Sequence, residues 1–170
     1  MGTLTSVSAM KHNPARSADR AVPPVVGWRE FVDFPEWGIT RLRAKIDTGA
    51  RTSALHVARV EPVDDTHIRF EVVIHERPKR ETIWITAPLA REAKVKPSSG
   101  QSQRRPVVRA RVRMGTVEQE IEISLVGRKG MLCRMLVGRS ALAGTFVVNP
   151  AKRYLLTPKN RRVRKKKGDR

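Results

Sequence analysis

The sequence predicts an all-β domain of barrel or sandwich type. Its apolar residues recur with a period of two, turn residues separate the runs, and only one short helix can be drawn. At 170 residues, with 11 Gly and 11 Pro, the chain suits one loop-rich domain with its own core and is short for two.

Residues 1–22 are small, polar and aperiodic, so a flexible N-terminal arm is expected there. Met1-Gly2-Thr3-Leu4-Thr5-Ser6 fits the N-myristoylation pattern, but that pattern is short and permissive enough for an ordinary start to explain it. The domain is expected over 23–157 and a basic, disordered tail over 158–170. Leu42, Ala44 and Ile46 alternate with Arg41, Arg43 and Lys45, a half-buried strand that runs into Asp47. Ile68, Phe70, Val72 and Ile74 alternate with Arg69, Glu71 and Val73, and Thr82–Thr86 reads as another short strand. Around Gly115, Val108, Ala110, Val112 and Met114 face inward, followed by Val117, Ile121, Ile123 and Leu125. A two-residue turn at Met114-Gly115 is expected to set Arg111 opposite Glu118 and Arg109 opposite Glu120, pairs that help fix a hairpin's register. The helix is expected over Ser140–Ala143, ended by Gly144.

The formal charge is +19, unevenly spread. Lys152–Arg170 carries ten basic residues against Asp169, and Pro88–Arg113 eight against Glu92. Such charge attracts anions: nucleic acid, acidic protein surface or an acidic substrate. The single Cys133 excludes an internal disulfide and a cysteine-built zinc site. It fits a reducing compartment, and the opening residues lack the apolar run of a secretory signal, so a cytoplasmic protein with no membrane contact is expected.

Ile46-Asp47-Thr48-Gly49-Ala50 is the sharpest chemical signal. An apolar strand ends in a carboxylate on a turn, Gly49 lets backbone N–H groups approach it, and the Thr48 hydroxyl is suited to lock the turn. Two such carboxylates side by side share one proton, leaving one as general base for a water and the other as general acid. Asp-Thr-Gly also arises by chance about once in fifty chains of this length, so a second signal is needed. It stands in Met135-Leu136-Val137-Gly138-Arg139-Ser140, an apolar strand leading through Gly-Arg into the helix.

In this pairing the chain resembles the retropepsins, one-domain relatives of pepsin, and 107–149 resembles the second half of a retropepsin subunit. The stretch Lys45-Ile46-Asp47-Thr48-Gly49-Ala50-Arg51-Thr52-Ser53-Ala54-Leu55-His56, with Ser98-Ser99-Gly100 and Arg105-Pro106-Val107-Val108, is similar to one bacterial subgroup. Its members carry the label ATP-dependent zinc protease and include the RimB-type proteins that accompany ATP-grasp glutamate ligases. The resemblance covers about 25–157. It implies a retropepsin-like fold and an aspartic peptidase with Asp47, Thr48 and Gly49 as catalytic residues. Because only one Asp-Thr-Gly is present, it also implies a homodimer around a two-fold axis. The RimB-type resemblance further implies trimming of glutamate residues added to the C-terminus of a ribosomal protein.

Viral retropepsins carry an Asp after Asp-Thr-Gly-Ala that pairs with the Gly-Arg arginine. Here Arg51 stands in that position, so Arg51 and Arg139 are expected to face an acidic ligand instead. By order along the chain the substrate-covering flap falls at 95–106, where Lys94, Lys96, Arg104 and Arg105 would put positive charge over the cleft. The resemblance thus makes Ala50, Arg51, Ser99, Gly100, Arg104, Arg105, Gly138 and Arg139 the substrate-binding candidates, with an acidic peptide as the expected substrate. No cofactor is expected: there is no His-Glu-x-x-His, no phosphate-binding Gly-x-x-x-x-Gly-Lys-Ser/Thr loop, and His12, His56, His67 and His75 are scattered and read as surface or turn residues.

Two other readings stay open. One is a non-catalytic basic β-barrel binding RNA or ribosomes, with Asp47 a turn residue; the low aromatic content, 5%, offers no stacking pattern for it. The other keeps the protease fold without activity, as a monomer would. Either way the basic tail is suited to contact RNA or ribosomes.

Overall fold

The computed structural model describes residues 22–76, 78–95, 102–127 and 132–157. All but residue 22 of the expected arm over 1–22, the expected flap residues Ser99 and Gly100, and the basic tail lie outside the described residues, as does His12. The described residues form ten strands: β1 Val25–Gly27, β2 Arg29–Phe34, β3 Ile39–Asp47, β4 Ser53–Pro62, β5 His67–His75, β6 Glu81–Val95, β7 Gln103–Met114, β8 Val117–Val126, β9 Met135–Gly138 and β10 Val147–Asn149. One helix, α1 Arg139–Leu142, follows β9, and a 3₁₀ turn, Pro35–Trp37, links β2 to β3. None of the described helices is long and apolar enough to cross a membrane.

Eight strands form one sheet in the order β2-β3-β9-β4-β5-β6-β7-β8. It closes on itself where β4 also pairs in parallel with β8 and Asp33 of β2 meets Arg113 of β7. β1 and β10 pair in parallel as a separate ribbon. Closure gives the period-two pattern its meaning, since the inward residues of every strand meet in one core. Leu42, Ala44 and Ile46 point into it as expected, with Phe70, Val72, Val108, Val112, Ile123 and Leu125. Phe34, Trp37 and Phe70 form an aromatic cluster: Phe34 and Trp37 stack at 4.7 Å and Trp37 meets Phe70 edge-on at 5.5 Å. At the start of the fold, fully buried Glu30 accepts hydrogen bonds from the N–H groups of Gly27 and Leu155 through Oε1, tying the segment after β10 to β1.

Three local expectations need correction. The β7–β8 turn is Gly115-Thr116, so Arg113 faces Glu118, Arg111 faces Glu120 and Arg109 faces Glu122. Met114 is a buried core residue paired with Val117 and cannot serve in an exposed turn, while Gly115 has φ +61°, the value the first position of a type II′ turn requires. Because the register moves by two, every side chain keeps its face. The strand expected over Thr82–Thr86 is the middle of the 15-residue β6. This strand pairs with β5 up to Pro88, is irregular between Leu89 and Arg91, and then pairs with β7; the irregularity breaks the alternation that would mark a long strand. The helix begins at Arg139, one residue earlier than expected, and Gly144 follows it at φ +75°.

Phe70 has no exposed surface and closes the aromatic cluster. Phe70→Ala is expected to lower the unfolding free energy by about 3–5 kcal/mol, measured by urea denaturation; a loss under about 1 kcal/mol would contradict this core assignment.

Candidate active site

β3 carries Asp47 to the edge of the core, and its parallel partner β9 sets Gly138 in register beside it. Asp47 is half-buried. Its Oδ1 accepts hydrogen bonds from the backbone N–H groups of Gly49 and Ala50, each 3.1 Å long. Two N–H dipoles on one oxygen fix the carboxylate's orientation. Among the described residues Oδ2 makes no hydrogen bond, so one oxygen is held and the other is open to chemistry.

The loop after Asp47 is clamped from the other side by the backbone that follows Gly138. The Arg139 N–H donates to Ala50 O at 2.8 Å, and the Ser140 N–H and hydroxyl donate to Arg51 O at 3.0 and 2.8 Å. The Arg139 guanidinium donates to Thr48 O at 3.0 Å. Thus the carbonyls of Thr48, Ala50 and Arg51 are all taken up by two residues of α1. Gly138 itself donates its N–H to Ser53 Oγ at 3.1 Å. A Cβ at Gly138 would stand 2.6 Å from Thr52 C and 2.8 Å from Arg51 O, backbone atoms that cannot yield. The glycine is therefore required by close approach of two backbones.

These contacts revise several sequence-based roles. Asp47, Gly49 and Ala50 come together with Gly138 and Arg139 as expected. Thr48 holds the loop through its carbonyl, and its hydroxyl makes no bond among the described residues. Arg139 faces the loop, where a substrate-binding role was expected; it orients the Asp47 turn from below. Arg51 is exposed and lines a cleft of about 640 Å³ with Arg91 and Lys94 of β6 and Glu120 and Glu122 of β8. Arg104 and Arg105 lie on β7 and do not line that cleft; Arg104 is 3.4 Å from Glu92, and Arg105 donates to Gln103 Oε1 at 3.1 Å. The hairpin β6–β7 stands where the flap was expected, with Lys94 in register with Arg104.

His75 is exposed beside Glu81 and His67 is half-buried beside Asp64, both at the surface as expected. His56 departs from that expectation: it is buried in β4, with Nδ1 3.4 Å from Val126 O, and loss of solvent holds its pKa below the ordinary value. Among the described residues no three His, Cys, Asp or Glu side chains gather as a metal site. Sequence reasoning also missed Ser53 and Ser140, whose hydroxyls bond the Gly138 N–H and the Arg51 carbonyl; serine in a loop carries no pattern that would announce this.

A family model described as retropepsin-like aspartic endopeptidase RimB matches residues 25–159. Proteins named probable alpha-L-glutamate ligase are also similar. The one from Shewanella pealeana is 28% identical over 138 residues, 79% of this chain and 30% of the relative. That from Desulfotalea psychrophila is 31% identical over 75% of this chain and 28% of the relative, and that from Parasynechococcus marenigrum 32% identical over 74% and 28%. The chain thus spans under a third of the length of these relatives. A solved protein of unknown function from Legionella pneumophila shares the fold, with a TM-score of 0.65 and 24% identity over 79% of this chain and 98% of that one.

Gly138→Ala is expected to cost at least about 1–3 kcal/mol from overpacking against backbone. Gly127→Ala, where an added methyl meets no described atom within 4 Å, should stay within about 0.5 kcal/mol of the parent. Equal denaturation midpoints for the two variants would refute the clamp.

Proposed function

The chain belongs to the RimB-like family of retropepsin-like aspartic endopeptidases, and from this we propose that it hydrolyses peptide bonds, with a second copy of itself completing the active site. The observation that carries the reading is the Asp47 carboxylate, held by two backbone N–H groups on Oδ1 and open at Oδ2.

One such carboxylate cannot both activate a water and protonate a leaving group at the same moment. Two Asp47 side chains facing each other across a two-fold axis can, because adjacent like charges force one proton to be shared. The ionised partner takes a proton from the water as it attacks the scissile carbonyl carbon. The protonated partner donates to the carbonyl oxygen, and collapse of the tetrahedral intermediate delivers a proton to the departing amine. Thr48, Gly49 and Ala50 supply the rigid turn, and the clamp from Arg139 and Ser140 limits its movement. Rigidity matters because misplacing a catalytic group by about 1 Å can cost a hundredfold in rate.

The proposed substrate is an acidic peptide. Arg51, Arg91 and Lys94 outnumber Glu120 and Glu122 in the lining of the cleft beside the loop, and net positive charge draws in carboxylates. The family and the glutamate chemistry in the relatives' names point to glutamate-rich peptides, although those names belong to much longer proteins. The β6–β7 hairpin is the proposed flap, and a cytoplasmic location and a ribosome or RNA contact through the basic tail belong to the same reading.

Purified protein incubated with an oligo-glutamate-tailed peptide, followed by mass spectrometry, tests the proposal. Cleavage should survive a chelator and fall at least about a thousandfold in Asp47→Asn, the scale on which loss of an essential catalytic group is felt. Absence of cleavage by a dimeric preparation, or cleavage retained in Asp47→Asn, would overturn it.

A further inference from the structure

Residues in register on neighbouring strands share a face of the sheet, and every second residue along a strand returns to that face. Asp47 pairs with Gly138, so two residues earlier Lys45 and Leu136 stand on the face that carries Asp47. Leu136 pairs in turn with Ala54. One step further back, Arg134 donates its N–H to Arg43 O and accepts the His56 N–H, so Arg43, Arg134 and His56 continue the same row. The opposite face is core: Ala44, Ile46, Leu55, Met135 and Val137 are all buried. The catalytic face therefore presents, in order from Asp47, the exposed Lys45 beside half-buried Leu136 and Ala54, and then Arg134.

Several cations of the sheet have an acid at ion-pair distance. Arg91 is 2.7 Å from Glu122, Arg104 is 3.4 Å from Glu92 and Arg113 is 3.2 Å from Asp33. Lys45 has no acid within ion-pair distance among the described residues. Arg134 is nine-tenths buried and ion-paired with Glu76 Oε1 at 3.7 Å, while its Nη1 has no hydrogen-bond acceptor. A buried guanidinium N–H left without an acceptor is costly, and exposed Lys45 shares its face with Arg43 and, across β2, with Arg29.

Lys45 lies about 7 Å along the strand from Asp47, the rise of two extended residues. An extended peptide with its scissile bond at Asp47 brings a neighbouring side chain over Leu136 and Ala54 at that distance. Two apolar surfaces followed by a cation suit a side chain with a methylene stem and a terminal carboxylate. We propose that Lys45, with Arg134 next along the same face, is the specificity-determining cation that receives a glutamyl side chain beside the scissile bond. The inference rests on the peptidase reading and deepens it, moving specificity from Arg51 and the flap arginines to the strand that carries the catalytic carboxylate.

The test compares two peptides that differ only in Glu or Gln next to the cleaved bond, read as the ratio of kcat/KM. The parent should favour Glu on the order of ten- to hundredfold, the contribution of one hydrogen bond to a charged group. Lys45→Met should bring the ratio close to one, Lys45→Arg should restore most of it, and Lys79→Met, at an exposed lysine of the β5–β6 connection, should leave it intact. Lys45 is exposed, so its variants should fold; Arg134→Gln is a secondary arm. A parent-like ratio in Lys45→Met, or a ratio lost only in Arg51→Gln, overturns the inference while leaving the peptidase reading standing. If the parent cuts neither peptide, the peptidase reading fails; the affinities of Asp47→Asn for the two peptides then decide, and equal affinity ends the inference as well.

Discussion

The turn that carries Asp47 is held by backbone from a distant part of the chain. Three of its carbonyls, those of Thr48, Ala50 and Arg51, accept hydrogen bonds from Arg139 and Ser140, and Gly138 must lack a side chain for the two segments to approach. Parallel pairing of β3 with β9 brings these segments together, and β9 in turn pairs with β4, which leaves the same turn in the opposite direction. The Asp47 loop is thereby boxed by three strands and the start of a helix. With Oδ1 of Asp47 fixed by two N–H groups, only Oδ2 is open. The rest of the sheet closes around this arrangement: β8 supports β4 from its free edge, and the buried Ser124 hydroxyl donates to Ser53 O at 3.1 Å.

Much of the fold was legible because a strand with one buried face writes its period into the sequence. Leu42, Ala44 and Ile46 announced β3, and the alternation around Gly115 announced a hairpin whose faces were right even though its register was off by two. Pairing register was less legible, since the same alternation is compatible with any even shift and only Met114's burial decides it. β6 was shortened because Pro88 and the irregularity after it interrupt the pattern. In the site, Asp47 and Gly138-Arg139 stood out as motifs, but their connection did not. The use of Arg139 as a clamp, and of the Thr48 carbonyl where the hydroxyl had been favoured, depends on which strand lies beside which, and nonlocal neighbours leave no mark at short range. Burial of His56 and the alignment of Lys45 with Leu136 were hidden for the same reason.

The charge shows the same limit. A net charge of +19 says that anions will be attracted, but not which cations remain unanswered after folding. Arg111 and Arg113 look as prominent in the sequence as Lys45. In the structure Arg111 reaches Glu36 at 3.2 Å and Glu118 at 3.7 Å, and Arg113 reaches Asp33. Such exposed pairs contribute little to stability, yet they occupy their cations. Lys45, on the face of Asp47, has no such partner among the described residues.

In the proposed peptidase two Asp47 carboxylates, one from each of two copies, act together. This is tested most directly by co-refolding the parent with Asp47→Asn in varying proportion at fixed total concentration and measuring peptide cleavage. If both carboxylates are needed in one dimer, activity falls as the square of the parent fraction, to about a quarter in an equal mixture. A linear fall, with about half the activity retained in that mixture, would mean that each chain works alone and would contradict the shared-proton mechanism.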